Sequence, residues 1–292
     1  MRNLALIVLN YCAYGDCVAC VDRLLSFRKD YHIIIVDNHS PDTSFEKLKE
    51  RYDGTGVDVL QTSANLGYSA GNNFGILFAI DRYQADTVGI VNPDILIPEG
   101  SVISVMTEKL YSDPSYALIG GCVIDAEGNY DPNAWAWDIP SRSELWKGHC
   151  LPGRKKRKKA FVCPVIAPKI AQVDCVAGCF FLAKVSCLKE MDFLDENTFL
   201  YNEENILGIK CKQKGYREVL ALDQFYVHNH RSGKKSDEKF LQKIHATRHS
   251  YRSRQYLCKK YYRSKGLMML WITERINRVY LALAFIKNKI FR

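Results

Sequence analysis

The 292-residue sequence is short of several features that mark large classes of protein. No GxxxxGKS or GxxxxGKT stretch occurs, and the first apolar run leads into NYCAYGD, residues 10–16, where a dinucleotide fold would place its glycine fingerprint. P-loop phosphate chemistry and nicotinamide hydride transfer therefore both lose their usual backbone cradle. No apolar stretch approaches the roughly 20 residues that a membrane-spanning helix needs. The run Leu4–Leu9 is too short for the apolar core of a secretory leader and no small-residue cleavage site follows it, so a cytoplasmic chain is expected. The eleven cysteines form no even framework. Cys17-x-x-Cys20 has redox or zinc spacing, but no second such pair completes a site, and reduced, buried thiols are the ordinary reading. Acidic residues are scarce in one place only: residues 231–292 hold 3 Asp+Glu against 17 Lys+Arg, whereas residues 1–230 hold 29 against 24. The overall charge of +9 is thus a property of the tail and of the run Arg154–Lys159, and the rest of the chain is mildly acidic.

A chain that is 47% hydrophobic and 25% charged has the means to fold. Apolar runs at Leu4–Leu9, Ile33–Val36, Val57–Leu60 and Val88–Val91 alternate with segments of three- and four-residue apolar spacing at Cys17–Phe27, Thr43–Arg51 and Ala70–Arg82. Strand–helix alternation predicts an α/β fold with a mostly parallel sheet, helices on both faces and right-handed crossovers. Ligands of such sheets gather at the carboxyl ends of the strands. Asn10-Tyr11, Asp37 and Asp94 each follow a predicted strand there. A carboxylate in Asp94's position serves a diphosphate ligand by holding a divalent cation, Mn²⁺ or Mg²⁺, against the leaving group; capping the next turn is the alternative use.

Beyond Gly120 the alternation breaks into a long, irregular insert, Cys122–Pro168, that carries Trp135 and Trp137. On an extended segment both indoles face one way, as an acceptor-sugar platform or as core packing. A strand running into a helix is expected within 173–191 and a helix over Asn202–Lys214. From Ser236 the pattern is helical to the end, with apolar patches Leu267–Ile272 and Val279–Phe285 set among basic residues. Such helices lie on an anionic bilayer surface, or pack on their own domain or a second subunit as a homodimer.

Four stretches in order, VDNHSPD (36–42), NLGYSAGNNFGI (65–76), VNPDI (91–95) and VAGCFFLAKVSCLKEMDFLDENTFLYNEEN (176–205), together resemble glycosyltransferase family 2, in its bacterial rhamnosyltransferase-like branch. The resemblance covers roughly residues 3–233. It implies a GT-A fold over 1–230, with a nucleotide-sugar-binding half to about 120, an acceptor-binding half over 121–230, and a basic helical extension over 231–292. Asn10, Tyr11 and Asp37 inherit contact with the nucleoside, and Asn65, Gly71, Asn72 and Asn73 line the approach to the donor. Asn92-Pro93-Asp94 matches the family's metal motif, with Asp94 as principal ligand. Glu204 stands at the position of the general base with Glu203 as its positioning neighbour, although two acids at a helix start also suit the helix dipole. His228 matches the later histidine, completing the metal shell or meeting the diphosphate, with His230 as its alternative and Arg231 and Lys234 adding charge. Two places depart from the pattern: Ile206 stands where many relatives have Asp, and Lys210 where they have Arg.

The implied activity is a metal-dependent, inverting transfer of a hexose or deoxyhexose, with rhamnose, galactose and glucose as candidates. The donor is a UDP- or dTDP-sugar and the acceptor a glycan, lipid-linked, in bacterial surface polysaccharide synthesis, on the inner face of the cell membrane. Two other readings remain open at this point. One is a non-catalytic sugar-nucleotide-binding partner subunit; the other is nucleic-acid binding through the basic tail, which no accompanying motif supports.

Overall fold

The strands form where β-branched and aliphatic residues run together, and their alternation decides which side of the sheet each side chain enters. In the computed structural model, β1 (Leu4–Asn10) sends Leu4, Leu6 and Val8 into one apolar cluster and Ala5 and Ile7 into another, and β2 (His32–Asp37) divides Ile33 and Ile35 from Ile34 and Val36 in the same way. Both faces are therefore core, and both need helices to cover them. The structure describes residues 2–27, 30–125, 128–129, 135–147, 163–229, 236–264 and 266–290, with the backbone alone at 236–243 and 286–290.

The remaining elements follow in order as α1 (Tyr14–Ser26), α2 (Ser44–Tyr52), β3 (Val57–Gln61), α3 (Gly67–Tyr83), β4 (Thr87–Val91), β5 (Ile95–Leu96), α4 (Ser101–Leu110) and β6 (Tyr116–Ile124). Next come β7 (Ala136–Trp137), α5 (Glu144–Lys147), β8 (Val165–Ala167), β9 (Ile170–Val173), β10 (Cys175–Val176), β11 (Phe180–Lys184), α6 (Val185–Glu190), α7 (Glu203–Gln213), β12 (Arg217–His228), α8 (Ser236–Tyr261) and α9 (Leu267–Ile290). The expected first four strands and three helices are all present, each within a few residues of its expected bounds. The strand expected within 173–191 is two strands, β10 and β11, broken at Ala177–Cys179.

Among the described residues the main sheet runs β3-β2-β1-β4-β11-β6-β12-β9-β8, with β5 paired to the far end of β12. The pairs among β1, β2, β3 and β4 are parallel, as is β6 with β12; β11 is antiparallel to both neighbours. β10 and β7 form a separate antiparallel pair. Two features of this sheet place the site. β11 starts beside the end of β4, so Cys179 O receives the N–H of Asn92 at 2.8 Å. β12 breaks register between Ala221 and Phe225 and then meets β5, with His228 opposite Ile95. A bulge of this kind re-aims the end of a strand.

The chain divides into two units. The first comprises 1–138, 160–196 and 203–231 and contains every strand found among the described residues. The second comprises 139–159, 197–202 and 232–292 and holds α5, α8 and α9. Within the second unit Tyr251, Leu257 and Leu270 are buried, Gln255 donates to Glu274 (2.8 Å), Phe199 stacks on His249, and Tyr262 donates to the carbonyl of Pro140 (2.6 Å). No disulfide joins the described cysteines, and Cys17 and Cys20 lie buried on α1 as core thiols.

Candidate active site

Three groups of polar residues occupy the carboxyl edge of the parallel strands. In the first, Asn10, Asp37 and Gln61 end β1, β2 and β3 in one paired row. Asp37 is fully buried. It accepts from Asn10 Nδ2 (2.7 Å), the Ser40 backbone N–H (2.8 Å), Ser40 Oγ (2.7 Å) and Gln61 Nε2 (3.3 Å). Four donors on one buried carboxylate offset its desolvation and hold the loops after β1 and β2 in fixed positions. Tyr11 stays 47% exposed beside them. Asn38, which sequence reasoning passed over although it closes the VDN triplet, accepts from Thr62 Oγ1 (3.1 Å) and the Leu66 N–H (3.0 Å) and donates to Asn65 Oδ1 (3.1 Å).

The 65–73 stretch turns out to be mostly packing. A Cβ on Gly71 would lie 2.7 Å from Leu9 Cδ1, so glycine is what lets α3 close on β1. Asn73 donates to Leu194 O (2.9 Å) and Glu196 Oε1 (2.8 Å) and accepts from the Leu194 N–H (3.2 Å), which ties α3 to the 194–196 loop. Asn72 donates to Tyr68 O (2.9 Å) and keeps a buried Oδ1 with no partner in the structure.

The second group is Asp94 and His228. They are 134 positions apart in the chain, yet His228 Nε2 lies 3.2 Å from Asp94 Oδ2, and the Asn229 N–H donates to Asp94 O at 2.9 Å. Burial opposes charging the His228 imidazole, but its hydrogen bonds to Asp94 and Cys179 and the negative charge of Asp94 outweigh it and push its pKa up to about 10. One carboxylate and one imidazole, both partly exposed, would form a donor set that suits Mn²⁺ and tolerates Mg²⁺ once the cation displaces the imidazole proton, with substrate phosphates left to fill the other positions. Among the described residues no cluster of three His, Cys, Asp or Glu forms a fuller metal cage. His230, Arg231 and Lys234 lie outside the described residues.

The third group opens α7. Glu203 is buried with Oε2 unpartnered, and burial together with the neighbouring Glu204 holds its carboxyl well above the usual range. Glu204 is also raised by burial, but backbone N–H groups, including that of Gly178, pull the other way. A backbone N–H also favours the ionised form of Glu203, but only Glu204 has the further N–H of Gly178. Gly178 sits hard against it: a Cβ there would lie 2.8 Å from Glu204 Oε1. The Tyr68 hydroxyl donates to Gly178 O from the first turn of α3.

Gly178 and Cys179 connect these groups. Gly178 touches Glu204 and Tyr68, while Cys179 receives the Asn92 N–H through its carbonyl and meets His228 and Tyr226 through its thiol. Two consecutive residues thus span the distance between a raised carboxylate and a carboxylate–imidazole pair.

Behind Glu204 stands a residue that sequence reasoning missed. Glu218 on β12 is 2% exposed, accepts the Val176 N–H at 2.8 Å and leaves Oε1 without a partner. Burial pushes its pKa up to about 8. Trp135 and Trp137 are half-buried against the core. Trp135 Nε1 donates to Val123 O (2.7 Å) and Trp137 Nε1 to Asn205 Oδ1 (2.9 Å), next to Glu204. The two unusual positions on α7 are also settled: Ile206 is fully buried, and Lys210 Nζ donates to Asp192 O (3.1 Å) and Phe193 O (2.9 Å).

The profile of the family described as "Glycosyltransferase like family 2" matches residues 2–252. The chain belongs to that family. A hexosyltransferase of low-salt glycan biosynthesis, Agl10, from Haloferax volcanii is 24% identical over 230 residues, covering 78% of this chain and 66% of the relative. An N-acetylglucosaminyl-diphospho-decaprenol L-rhamnosyltransferase from Mycobacterium tuberculosis is 24% identical over 216 residues, covering 70% of this chain and 68% of the relative. This family 2 chain therefore spans about two thirds of the length of each of these relatives. Among solved structures, GalNAc-T7 with UDP, GalNAc and Mn²⁺ superposes with a TM-score of 0.60 at 16% identity, over 79% of this chain and 44% of the other. The likeness shows the fold, GT-A, as the α/β architecture with its mostly parallel mixed sheet already indicates. In family 2 terms, the structure brings Asp94, His228, Glu204 and Glu203 to one region of the first unit and builds Asn10 and Asp37 into the loops beside it.

Proposed function

We propose that this family 2 chain is a metal-dependent, inverting glycosyltransferase. It moves a hexose or deoxyhexose, with rhamnose, galactose and glucose as candidates, from a UDP- or dTDP-sugar to a glycan acceptor. The observation that carries the reading is the Gly178–Cys179 bridge, which joins Glu204 to the Asp94–His228 pair.

The geometry supports the following roles. Glu204, its basicity raised by burial, takes the proton of the acceptor hydroxyl as that oxygen attacks the anomeric carbon. The bond from the anomeric carbon to the diphosphate oxygen breaks on the opposite side of the sugar, which inverts its configuration. Asp94 and His228 would hold Mn²⁺ or Mg²⁺, which would supply positive charge beside the leaving diphosphate. Glu203, whose carboxyl is held well above the usual range by burial and by Glu204, stands beside Glu204 as a positioning neighbour. Asn10 and Asp37 fix the loops that receive the nucleoside, with Tyr11 exposed beside them.

The names of the relatives support the substrate classes. The GalNAc-T7 structure holds UDP and Mn²⁺, and the mycobacterial relative is named for a diphospho-decaprenol acceptor. A lipid-linked glycan of surface polysaccharide synthesis, met at the cytoplasmic face of a membrane, is the acceptor proposed here.

The test is nucleoside diphosphate release from a panel of UDP-, dTDP- and GDP-sugars with Mn²⁺, Mg²⁺ or EDTA, for native protein and Asp94→Ala. Release from one donor, abolished by EDTA and by the substitution, is the expected result. If release survives both, Asp94 is not a metal ligand. If the protein neither releases nor binds any diphosphate in a calorimetric titration, it is not a transferase.

A further inference from the structure

Helix α9 is amphipathic in an unusual sense. Leu270, Thr273, Glu274 and Leu281 are buried, and they are three, four or seven residues apart, so one face of the helix is packed. The opposite face is apolar as well: Met268, Trp271, Ile272, Ile276, Val279 and Leu283 are exposed, the last two by 60% and 61%. At 3.6 residues per turn these positions, with Tyr280, cover about half the circumference of the helix. Trp271 lies at one margin of the stripe and Tyr280 at the other. Arg275 is exposed within the stripe, between Trp271 and Val279, with its guanidinium 5.0 Å from the centre of the Trp271 ring, and Arg278 lies just beyond Trp271, where it is paired with Glu274 (2.5 Å). No helix among the described residues is long and apolar enough to cross a membrane.

Charge decides what covers this face. The chain segments of the second unit contain 24 Lys+Arg and 4 Asp+Glu. A second copy would bring one such surface against another, and like charges directly opposed disfavour that association. A two-stranded helical seam also uses a narrower apolar stripe than this one. A wide apolar face with aromatic rings at its margins and arginines beside them instead matches the boundary of an anionic bilayer. There the hydrocarbon takes the aliphatic side chains, the headgroup layer takes the aromatic rings and the phosphates take the guanidinium groups.

We infer that the exposed face of α9, centred on Ile272, Ile276, Val279 and Leu283, is a docking surface for an anionic lipid bilayer, lying in the plane of the membrane. This deepens the proposal of a lipid-linked acceptor but stands on an observation of its own, and its test needs no turnover.

The test is co-sedimentation of the full chain with vesicles of phosphatidylcholine plus phosphatidylglycerol and with vesicles of phosphatidylcholine alone. Native protein is compared with Val279→Glu/Leu283→Glu, which alters two of the more exposed side chains of the helix; circular dichroism checks that the variant is folded. The expected result is binding to the anionic vesicles that weakens at least tenfold in the double variant and falls with added salt. A blue shift of tryptophan fluorescence on binding, absent from Trp271→Phe, places that ring in the headgroup layer. Equal binding by the double variant would mean attraction by charge alone and overturn the assignment of the face, and no binding to anionic vesicles would overturn the inference itself. A lipid-free dimer that the double variant dissociates would assign the face to a second copy, and a salt-sensitive oligonucleotide shift without vesicle binding would assign the unit to nucleic acid.

Discussion

The two units differ in charge far more than the chain as a whole suggests. Segments of the first hold 28 Asp+Glu against 17 Lys+Arg, a net of −11, and those of the second 4 against 24, a net of +20. They also differ in how they use apolar residues. The first sends alternate strand residues into two buried clusters; the second leaves a broad apolar face of α9 open to solvent. Three acids of the first unit, Glu203, Glu204 and Glu218, are held above the usual carboxylate range by burial, as proton-transfer groups need to be. In the second, Lys259, Lys260, Arg263, Arg275 and Arg278 are exposed. In the reading proposed above, chemistry falls to the first unit and attachment to the second, and each unit has a charge that suits its task.

The separation is open to direct attack, and the largest effect is expected at Glu204. Glu204→Gln removes the proton acceptor and should lower kcat by about 10²–10⁴-fold, while vesicle binding stays at the native level. A parallel loss of vesicle binding would show that the two tasks are not separate. Gly178→Ala forces a methyl group into the space of the Glu204 carboxylate. Displacing the base by a fraction of an ångström should reduce kcat by about 10²-fold with little change in KM for the donor.

A smaller effect concerns stability. Because Glu218 is raised from 4.5 to about 8 in the fold, its proton stabilises the native state at low pH, and this contribution is lost as pH climbs from about 4.5 through about 8. Thermal unfolding across that range should show native protein losing on the order of 3–5 kcal/mol relative to Glu218→Gln, at ~1.4 kcal/mol per pKa unit. Parallel pH profiles for the two proteins would rule out a buried, proton-retaining Glu218. The smallest effect is Trp137→Phe, which removes the N–H that reaches Asn205 beside Glu204. Urea unfolding should report a loss of about 1 kcal/mol, and activity should fall in proportion to any shift of α7.

Much of the first unit was legible along the chain. The runs at 4–9, 33–36, 57–60 and 88–91 are apolar enough, and the helical spacing between them regular enough, to announce parallel strands and crossovers before any coordinates. Asp37 and Asp94 were legible as strand-end carboxylates, and Glu203-Glu204 as an acidic helix start. Glu218 was not. In REVLALDQFYVH it reads as a solvated acid near a strand end, and only the position of β12 between β6 and β9, under the β10 backbone, makes it a buried one. Trp135 and Trp137 were legible as a pair, but not their partners at Val123 and Asn205. Asn73 was read as a donor-site residue, yet its amide is taken up by Leu194 and Glu196, more than 100 positions later in the chain.

The sequence by itself determined the local matters: strand and helix periods, the carboxylates that end β2 and β4, the basic tail and the motifs of family 2. These depend on neighbours within a few residues, where backbone geometry and side-chain type are sufficient. The tertiary structure alone decided the encounters over long separations. It brought His228 to Asp94 through the bulge in β12, set Gly178 against Glu204, and joined 139–159 and 197–202 to the C-terminal helices. Such meetings depend on strand order and register, and these come from burying both faces of one sheet at once, a requirement that no short stretch of sequence contains.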